Sequence, residues 1–299
     1  MKSITLILSV LLIIETATAQ TKGSSPKFLN QEPPGMESKL FAPEIISLKN
    51  RYEFGSVFSK DGKEFYFAVE ENEKPEIWFT RLENNAWTKP VKIFFSDKYG
   101  YNDPFLSPDE KKLFFISDRA MDGEGDKKDI DIWYAERTAT GWSEPVNAGP
   151  KINSPRNEYY ISFTKKGTMY FSSNAGTGEA DSKNFDIYTS DYATGVFQSK
   201  EKLNSAINTT HYEADVFVSP NEEYIIYCSE RPGGLGKGDL YISFKDKNGA
   251  WEEAKNMGSV VNSPAYEFCP FVSPDGKYLF FTRSGEIYWV SSEILNTFK

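Results

Sequence analysis

Short apolar runs recur along this chain in pairs, and a small polar turn between the members of each pair brings the copies into register. The turn reads Ser59-Lys60-Asp61-Gly62, Ser107-Pro108-Asp109-Glu110, Thr164-Lys165-Lys166-Gly167, Ser219-Pro220-Asn221-Glu222 and Ser273-Pro274-Asp275-Gly276. Successive turns lie 48, 57, 55 and 54 residues apart. Pro presets φ for the second position of such a turn and Gly tolerates positive φ, so each copy predicts a hairpin. An aromatic-rich run follows every turn: Phe65–Phe67, Leu113–Ile116, Met169–Ser172, Tyr224–Cys228 and Leu279–Thr282. An acidic residue then precedes an apolar-aromatic pair, as in Glu76-Ile77-Trp78, Asp131-Ile132-Trp133, Asp186-Ile187-Tyr188, Asp239-Leu240-Tyr241 and Glu286-Ile287-Tyr288. Four copies add an outer run beginning near Trp87, Trp142, Phe197 and Trp251.

A fixed period of this length with about four strands per unit predicts an all-β fold, a five-bladed β-propeller. Runs such as Tyr224-Ile225-Ile226-Tyr227 are continuously apolar, the pattern expected of strands buried on both faces. The last copy reaches the C-terminus without an outer strand. Leu40–Leu48 has the outer-strand pattern, with Pro43 three residues after Leu40 as Pro90 is after Trp87. The N-terminal strand is therefore expected to complete the last blade by lying beside Glu286–Val290, which leaves no open seam.

The leader changes the picture next. Residues 1–19 combine one Lys, an apolar stretch from Ile4 to Ile14 and Ala17-Thr18-Ala19, the pattern of a signal peptide cut near Ala19. That predicts a periplasmic or secreted protein with no transmembrane segment in the mature chain. Residues 20–39, rich in Gly, Ser, Pro and charge, read as a flexible linker, and 40–299 as the propeller. The formal net charge of −9 argues against nucleic acid as a partner. Cys228 and Cys269 fall in the fourth and fifth copies; an oxidising compartment permits a disulfide, but strict bridge geometry favours two buried thiols.

The turn, the acidic-Ile/Leu-aromatic triplet, and motifs such as Ile152-Asn153-Ser154 and Gly141-Trp142 together resemble the PD40 or TolB-type, WD40-like propeller repeat. The resemblance spans about Leu40 to the end and is weakest in the third copy, where Asn174 stands in place of Arg. It implies an exported interaction scaffold and says little about the ligand; near-uniform repeats, one histidine and no catalytic constellation point to a non-catalytic module whose partner is an envelope protein, peptidoglycan or a glycan.

Candidate chemistry follows from strand parity. Loops before the first strand and after the second emerge on one side of the ring, and the Ser-Pro-Asp-Gly turns on the other. Glu53, Glu158, Glu213 and Glu267 sit six residues before their turns, with Tyr101 in the equivalent place in the second copy. Two readings are open: a ring of carboxylates at one channel mouth, or structural acceptors for N–H groups of the preceding Asn-Ser/Thr loops. Four residues before the turns the copies diverge to Gly55, Asp103, Tyr160, Asp215 and Cys269. Asp103 and Asp215 thus bring carboxylates toward the same mouth from non-adjacent blades, and His211, the only histidine, lies in a loop facing it.

The candidate ligand-binding set is therefore Glu53, Asp103, Glu158, His211, Glu213, Asp215 and Glu267. An inverting glycosidase using the inward carboxylates is the alternative. No Gly-x-Ser-x-Gly elbow is present, and the acidic loop Asp118–Asp129 does not match the EF-hand spacing. The loop Pro232–Gly236 joins two strands and not a strand to a helix, so a phosphate cradle is not expected there. No catalytic residue, metal or cofactor is assigned.

Overall fold

Each expected turn closes in the same way. The fourth residue donates its N–H to the first carbonyl at 2.8 Å in Gly62→Ser59, Glu110→Ser107, Glu222→Ser219 and Gly276→Ser273, and at 3.0 Å in Gly167→Thr164. In three copies the leading Ser also donates to the turn Asp, at 2.8 Å for Ser59–Asp61 and 2.7 Å for Ser107–Asp109 and Ser273–Asp275. The computed structural model describes residues 28–176, 183–193 and 196–299. The expected signal peptide, 1–19, lies outside the described residues.

Five antiparallel sheets follow from these hairpins, each ordered from channel to rim. Blade one is Tyr52–Phe58, Glu64–Glu71, Lys74–Glu83 and Val91–Lys92. Blade two is Asn102–Leu106, Lys112–Ser117, Asp131–Thr138 and Val146–Asn147. Blade three is Glu158–Phe163, Met169–Ser173, Asp186–Ser190 and Glu201–Lys202. Blade four is Glu213–Val218, Tyr224–Ser229, Asp239–Phe244 and Lys255–Asn256. Blade five is Glu267–Val272, Tyr278–Arg283, Glu286–Ser291 and, from the other end of the chain, Lys39–Leu40. Inner strands neighbour one another around the ring, and the first meets the last. The fold is a five-bladed propeller.

The closure is the expected one, over a shorter stretch. Lys39 faces Trp289, Leu40 faces Tyr288, and Phe41 N–H donates to the Ile287 carbonyl at 2.8 Å. Pairing stops there because Ala42 and Glu44 adopt positive φ around Pro43, which has no N–H to offer. Residues 42–48 turn away instead of continuing the strand, as the sequence pattern had suggested. Phe41 is fully buried, its ring centroid 5.1 Å from Phe280, 5.2 Å from Trp289 and 5.4 Å from Phe65.

Residues 28–39 correct the linker expectation. Phe28 is buried edge-on against Phe58 and Tyr278, each 5.1 Å away, so it wedges between the first and last blades. Its composition concealed this, because two apolar residues in a polar stretch give no periodicity to read. Residues 20–27 lie outside the described residues.

Candidate functional site

The inner strands share one irregularity that places the site. In all five the pairing register slips, between Phe54 and Val57, Asn102 and Phe105, Tyr159 and Ile161, Ala214 and Phe217, and Phe268 and Phe271. The residue inside each slip has positive φ: Gly55 at 50°, Asp103 at 50°, Tyr160 at 41°, Asp215 at 55° and Cys269 at 50°. These are β-bulges, which break strict alternation and re-aim side chains. Four of the five hold a non-glycine residue in the left-handed region, an uncommon and costly choice.

Two residues before the bulge positions, Glu53, Glu158, Glu213 and Glu267 are all fully buried. Their partners are internal. Ser154, Thr209 and Ser263 each donate both N–H and hydroxyl to the Glu four residues on. Arg51, Lys200, Arg231 and Arg283 supply the cations, at 2.5, 3.2, 3.2 and 3.0 Å. In the second blade Tyr101 replaces Glu, and Arg119 donates to its hydroxyl at 3.2 Å instead. Of the two readings open from sequence, the four glutamates have the geometry of the structural one. Burial lifts the carboxyls of Glu158 and Glu267 above their ordinary range while these partners pull them back.

Asp103 and Asp215 behave differently. Together with Cys269 they form the floor of a cavity of about 600 Å³ at the mouth predicted from strand parity. One donor atom from each of the three lies within 4.8 Å of the others, and the Cys269 thiol donates to Asp103 Oδ1 at 3.6 Å. Asp103 is 6% exposed and Asp215 7%. Among the described residues neither has a Lys or Arg partner, and the Asp215 carboxyl accepts no hydrogen bond. Burial pushes the Asp103 carboxyl up to about 7, and burial plus the neighbouring Asp103 raise Asp215 well above the ordinary carboxylate range. Burial and the two carboxylates likewise raise the Cys269 thiol. Cys228 and Cys269 are both free thiols.

The cavity walls are aromatic. Tyr52, Phe54, Tyr159, Tyr212, Tyr266 and Phe268 line it, all one or three residues before a bulge position. Gly285, at φ +77°, lets the Tyr52 ring lie against backbone; a Cβ there would stand 2.3 Å from that ring. Tyr266 is anchored by its hydroxyl, which donates to Glu230 at 3.0 Å. Exposed Lys237 stands at the rim. Sequence reading missed this wall because it followed the carboxylates; the signal was there as aromatics at fixed offsets from the turns. His211 is partly exposed, does not line the cavity, and donates its backbone N–H to Thr209 Oγ1 at 3.1 Å.

On the turn side, Val57, Phe105, Phe163, Phe217 and Phe271 are buried around a second cavity of about 410 Å³, which shares no lining residue with the mouth. Phe271 lies 6.0 Å from Phe105 and 5.9 Å from Phe217.

No family model matches the chain, and no curated protein matches it. Solved structures do share its arrangement. TolB from Acinetobacter baumannii aligns with a TM-score of 0.51 at 17% identity, over 81% of this chain and 55% of that one. The chain has a TolB-like propeller fold. It therefore spans little more than half the length of that TolB. A thermostable family-43 glycoside hydrolase aligns with a TM-score of 0.51 at 14% identity, over 80% of this chain and 88% of that one. A Dyadobacter fermentans protein of unknown function aligns with a TM-score of 0.52 at 13% identity, covering 86% and 83%. Identities this low carry the fold alone.

Two loops of this TolB-like propeller were weighed for ions. In 118–129, Lys127 pairs with Asp118 at 2.8 Å and Lys98 with Asp126 at 3.3 Å, and Asp122 accepts N–H bonds from Glu124 and Gly125. The carboxylates of Asp118, Asp122 and Asp126 thus already have internal partners. In 232–236 the N–H groups of Leu235 and Gly236 donate to Asp239, so that glycine-rich turn binds its own carboxylate. No described helix is long and apolar enough to cross a membrane.

Proposed function

We propose that this chain is an exported binding module of the PD40-type propeller class, which takes a saccharide, such as a peptidoglycan or other envelope glycan segment, at the aromatic mouth. One observation carries the reading: six aromatic side chains line a pocket whose two carboxyl groups have no Lys or Arg partner among the described residues. Aromatic faces pack on the apolar faces of sugar rings, and carboxyl groups exchange hydrogen bonds with hydroxyls. A cavity of about 600 Å³ falls within the roughly 300–1,000 Å³ usual for small-ligand sites, whereas a protein partner would favour a broader, flatter surface. Export is supported by the leader pattern in residues 1–19.

The glycosidase reading draws on Asp103 and Asp215 facing one another on a fold shared with a family-43 hydrolase. It is the weaker one. An inverting pair sits about 6.5–9.5 Å apart to admit water, while donor atoms here approach within 4.8 Å. Burial raises both carboxyls in the same direction, so neither is set apart as the ionised base. The glutamates that would serve as acid are occupied by their own ion pairs.

Calorimetric titration of chelator-treated protein with soluble peptidoglycan fragments and neutral oligosaccharides tests the reading. Binding is expected, weakened roughly tenfold or more by Tyr212→Ala or Asp215→Asn and unchanged by Lys165→Ala on the opposite face. Equal affinity in the folded mouth variants, or cleavage of the saccharide dependent on Asp103 and Asp215, would overturn it.

A further inference from the structure

The floor of the mouth has a composition that saccharide binding alone does not call for. The five bulges put Gly55, Asp103, Tyr160, Asp215 and Cys269 at equivalent positions of the inner strands. Gly55 contributes space, since a Cβ there would come within 2.7 Å of Asp103 Oδ1. Tyr160 turns its hydroxyl away to donate to the Pro270 carbonyl at 2.8 Å. The remaining three are a carboxyl from blade two, a carboxyl from blade four and a thiol from blade five.

We propose that Asp103, Asp215 and Cys269 form a binding site for a borderline-soft divalent cation of the zinc class, its open coordination position facing the aromatic mouth. The three side chains are 6%, 7% and 2% exposed, and their donor atoms lie mutually within 4.8 Å. Every inner-strand glutamate has a protein cation beside it, whereas Asp103 and Asp215 have none among the described residues. Asp215, more than nine-tenths buried and aimed into the cavity, accepts no hydrogen bond at all. Buried carboxylates are normally paired or bound to metal, and here the first option is not used.

Distance and donor type agree on the class of ion. Zinc–oxygen and zinc–sulfur bonds of about 2.1 and 2.3 Å at a tetrahedral angle place oxygen and sulfur about 3.6 Å apart. Asp103 Oδ1 and Cys269 Sγ are 3.6 Å apart. In the metal-free chain the thiol donates across that gap; binding replaces its proton with the cation and releases it to solvent. A thiolate ligand selects against calcium and magnesium, which prefer all-oxygen shells. Three protein ligands leave a fourth position for an oxygen or nitrogen donor arriving through the mouth.

Cobalt titration of the untagged, chelator-treated chain tests this without reference to any saccharide. One equivalent of Co²⁺ is expected to bind, with a sulfur-to-cobalt charge-transfer absorption in the near ultraviolet and a raised melting temperature. One equivalent of Zn²⁺ should abolish the band by displacement, and excess Ca²⁺ should leave it intact. Cys269→Ser should remove the band and Asp215→Asn should weaken Co²⁺ binding roughly tenfold or more, with circular dichroism confirming the fold. Cys228→Ser should change neither. The proposal is overturned by absence of the band in folded protein, by its survival in Cys269→Ser, or by its loss in Cys228→Ser. Saccharide titrations run in chelator report on the aromatic mouth separately, so either reading can fail without the other.

Discussion

Gly55 and Asp103 occupy the same bulge position in adjacent blades, and they fit only because one of them has no side chain. A Cβ built on Gly55 would approach Asp103 Oδ1 to 2.7 Å and Asp103 Cα to 3.3 Å. The glycine also holds φ +50°, where a Cβ is disfavoured. Gly55→Ala is therefore expected to destabilise the fold by about 1–3 kcal/mol and to displace the Asp103 carboxyl. Chemical denaturation reads the first effect, and loss of ligand affinity at the mouth reads the second. Wild-type stability in the variant would show that the bulge is not held as described.

The glutamate-cation pairs of the inner strands predict a contrast between two arginines. Arg283 neutralises Glu267, a fully buried carboxylate, with its Nε 3.0 Å away. Removing one partner of a buried pair costs about 3–5 kcal/mol, so Arg283→Ala should be severely destabilising. Arg119 hydrogen-bonds the Tyr101 hydroxyl and lies over the Tyr99 and Trp133 rings, with no carboxylate partner among the described residues, so Arg119→Ala leaves no buried charge behind. Its cost should be closer to about 1 kcal/mol. Urea midpoints of the two variants, measured side by side, check the ranking; equal costs would contradict the assignment.

Ring closure predicts that a residue near the beginning of the described chain matters as much as any core position. Phe41→Ala empties a fully buried site between blades one and five and should cost about 3–5 kcal/mol. Hydrogen exchange should then rise first in Glu286–Ser291, which loses its outer partner. Uniform exchange through all five blades would show that the seam is not the weak point.

Glu53 gives a pH dependence with a defined sign. Burial lifts its carboxyl to about 7, although Arg51 opposes the shift, and Glu286 adds a like charge. Its Oε2 is buried without a hydrogen-bond partner, consistent with a proton held there. The folded state thus keeps a proton that the unfolded chain has lost above its ordinary value near 4.5. This contribution to stability is fully present below about 4.5 and is lost as pH rises through about 7. Glu53→Gln should remove that slope from a plot of melting temperature against pH. Parallel plots for the two proteins would contradict it.

Much of the fold was legible because the turn chemistry repeats: the hairpins, the blade count and the closure of the last blade by the first strand all follow from it. The roles of individual side chains were less legible. The offset from each turn left Glu53, Glu158, Glu213 and Glu267 open to a mouth ring or a structural role, and only the register slips and the partners seen in three dimensions separate them from the bulge residues two positions on. No local motif announces that bulge, since only Gly55 among its five residues is a usual left-handed residue. Asp103, Asp215 and Cys269 are likewise brought together only by the closed ring, across separations in sequence that no motif spans.

A crystal structure of the chain with a bound peptidoglycan fragment or oligosaccharide tests the central claim most directly. The account predicts sugar density over the floor of the mouth, with rings packed on Tyr159, Tyr212 or Tyr266 and a hydroxyl reaching Asp103 or Asp215. Density confined to the opposite face, above Phe105, Phe163, Phe217 and Phe271, would contradict it.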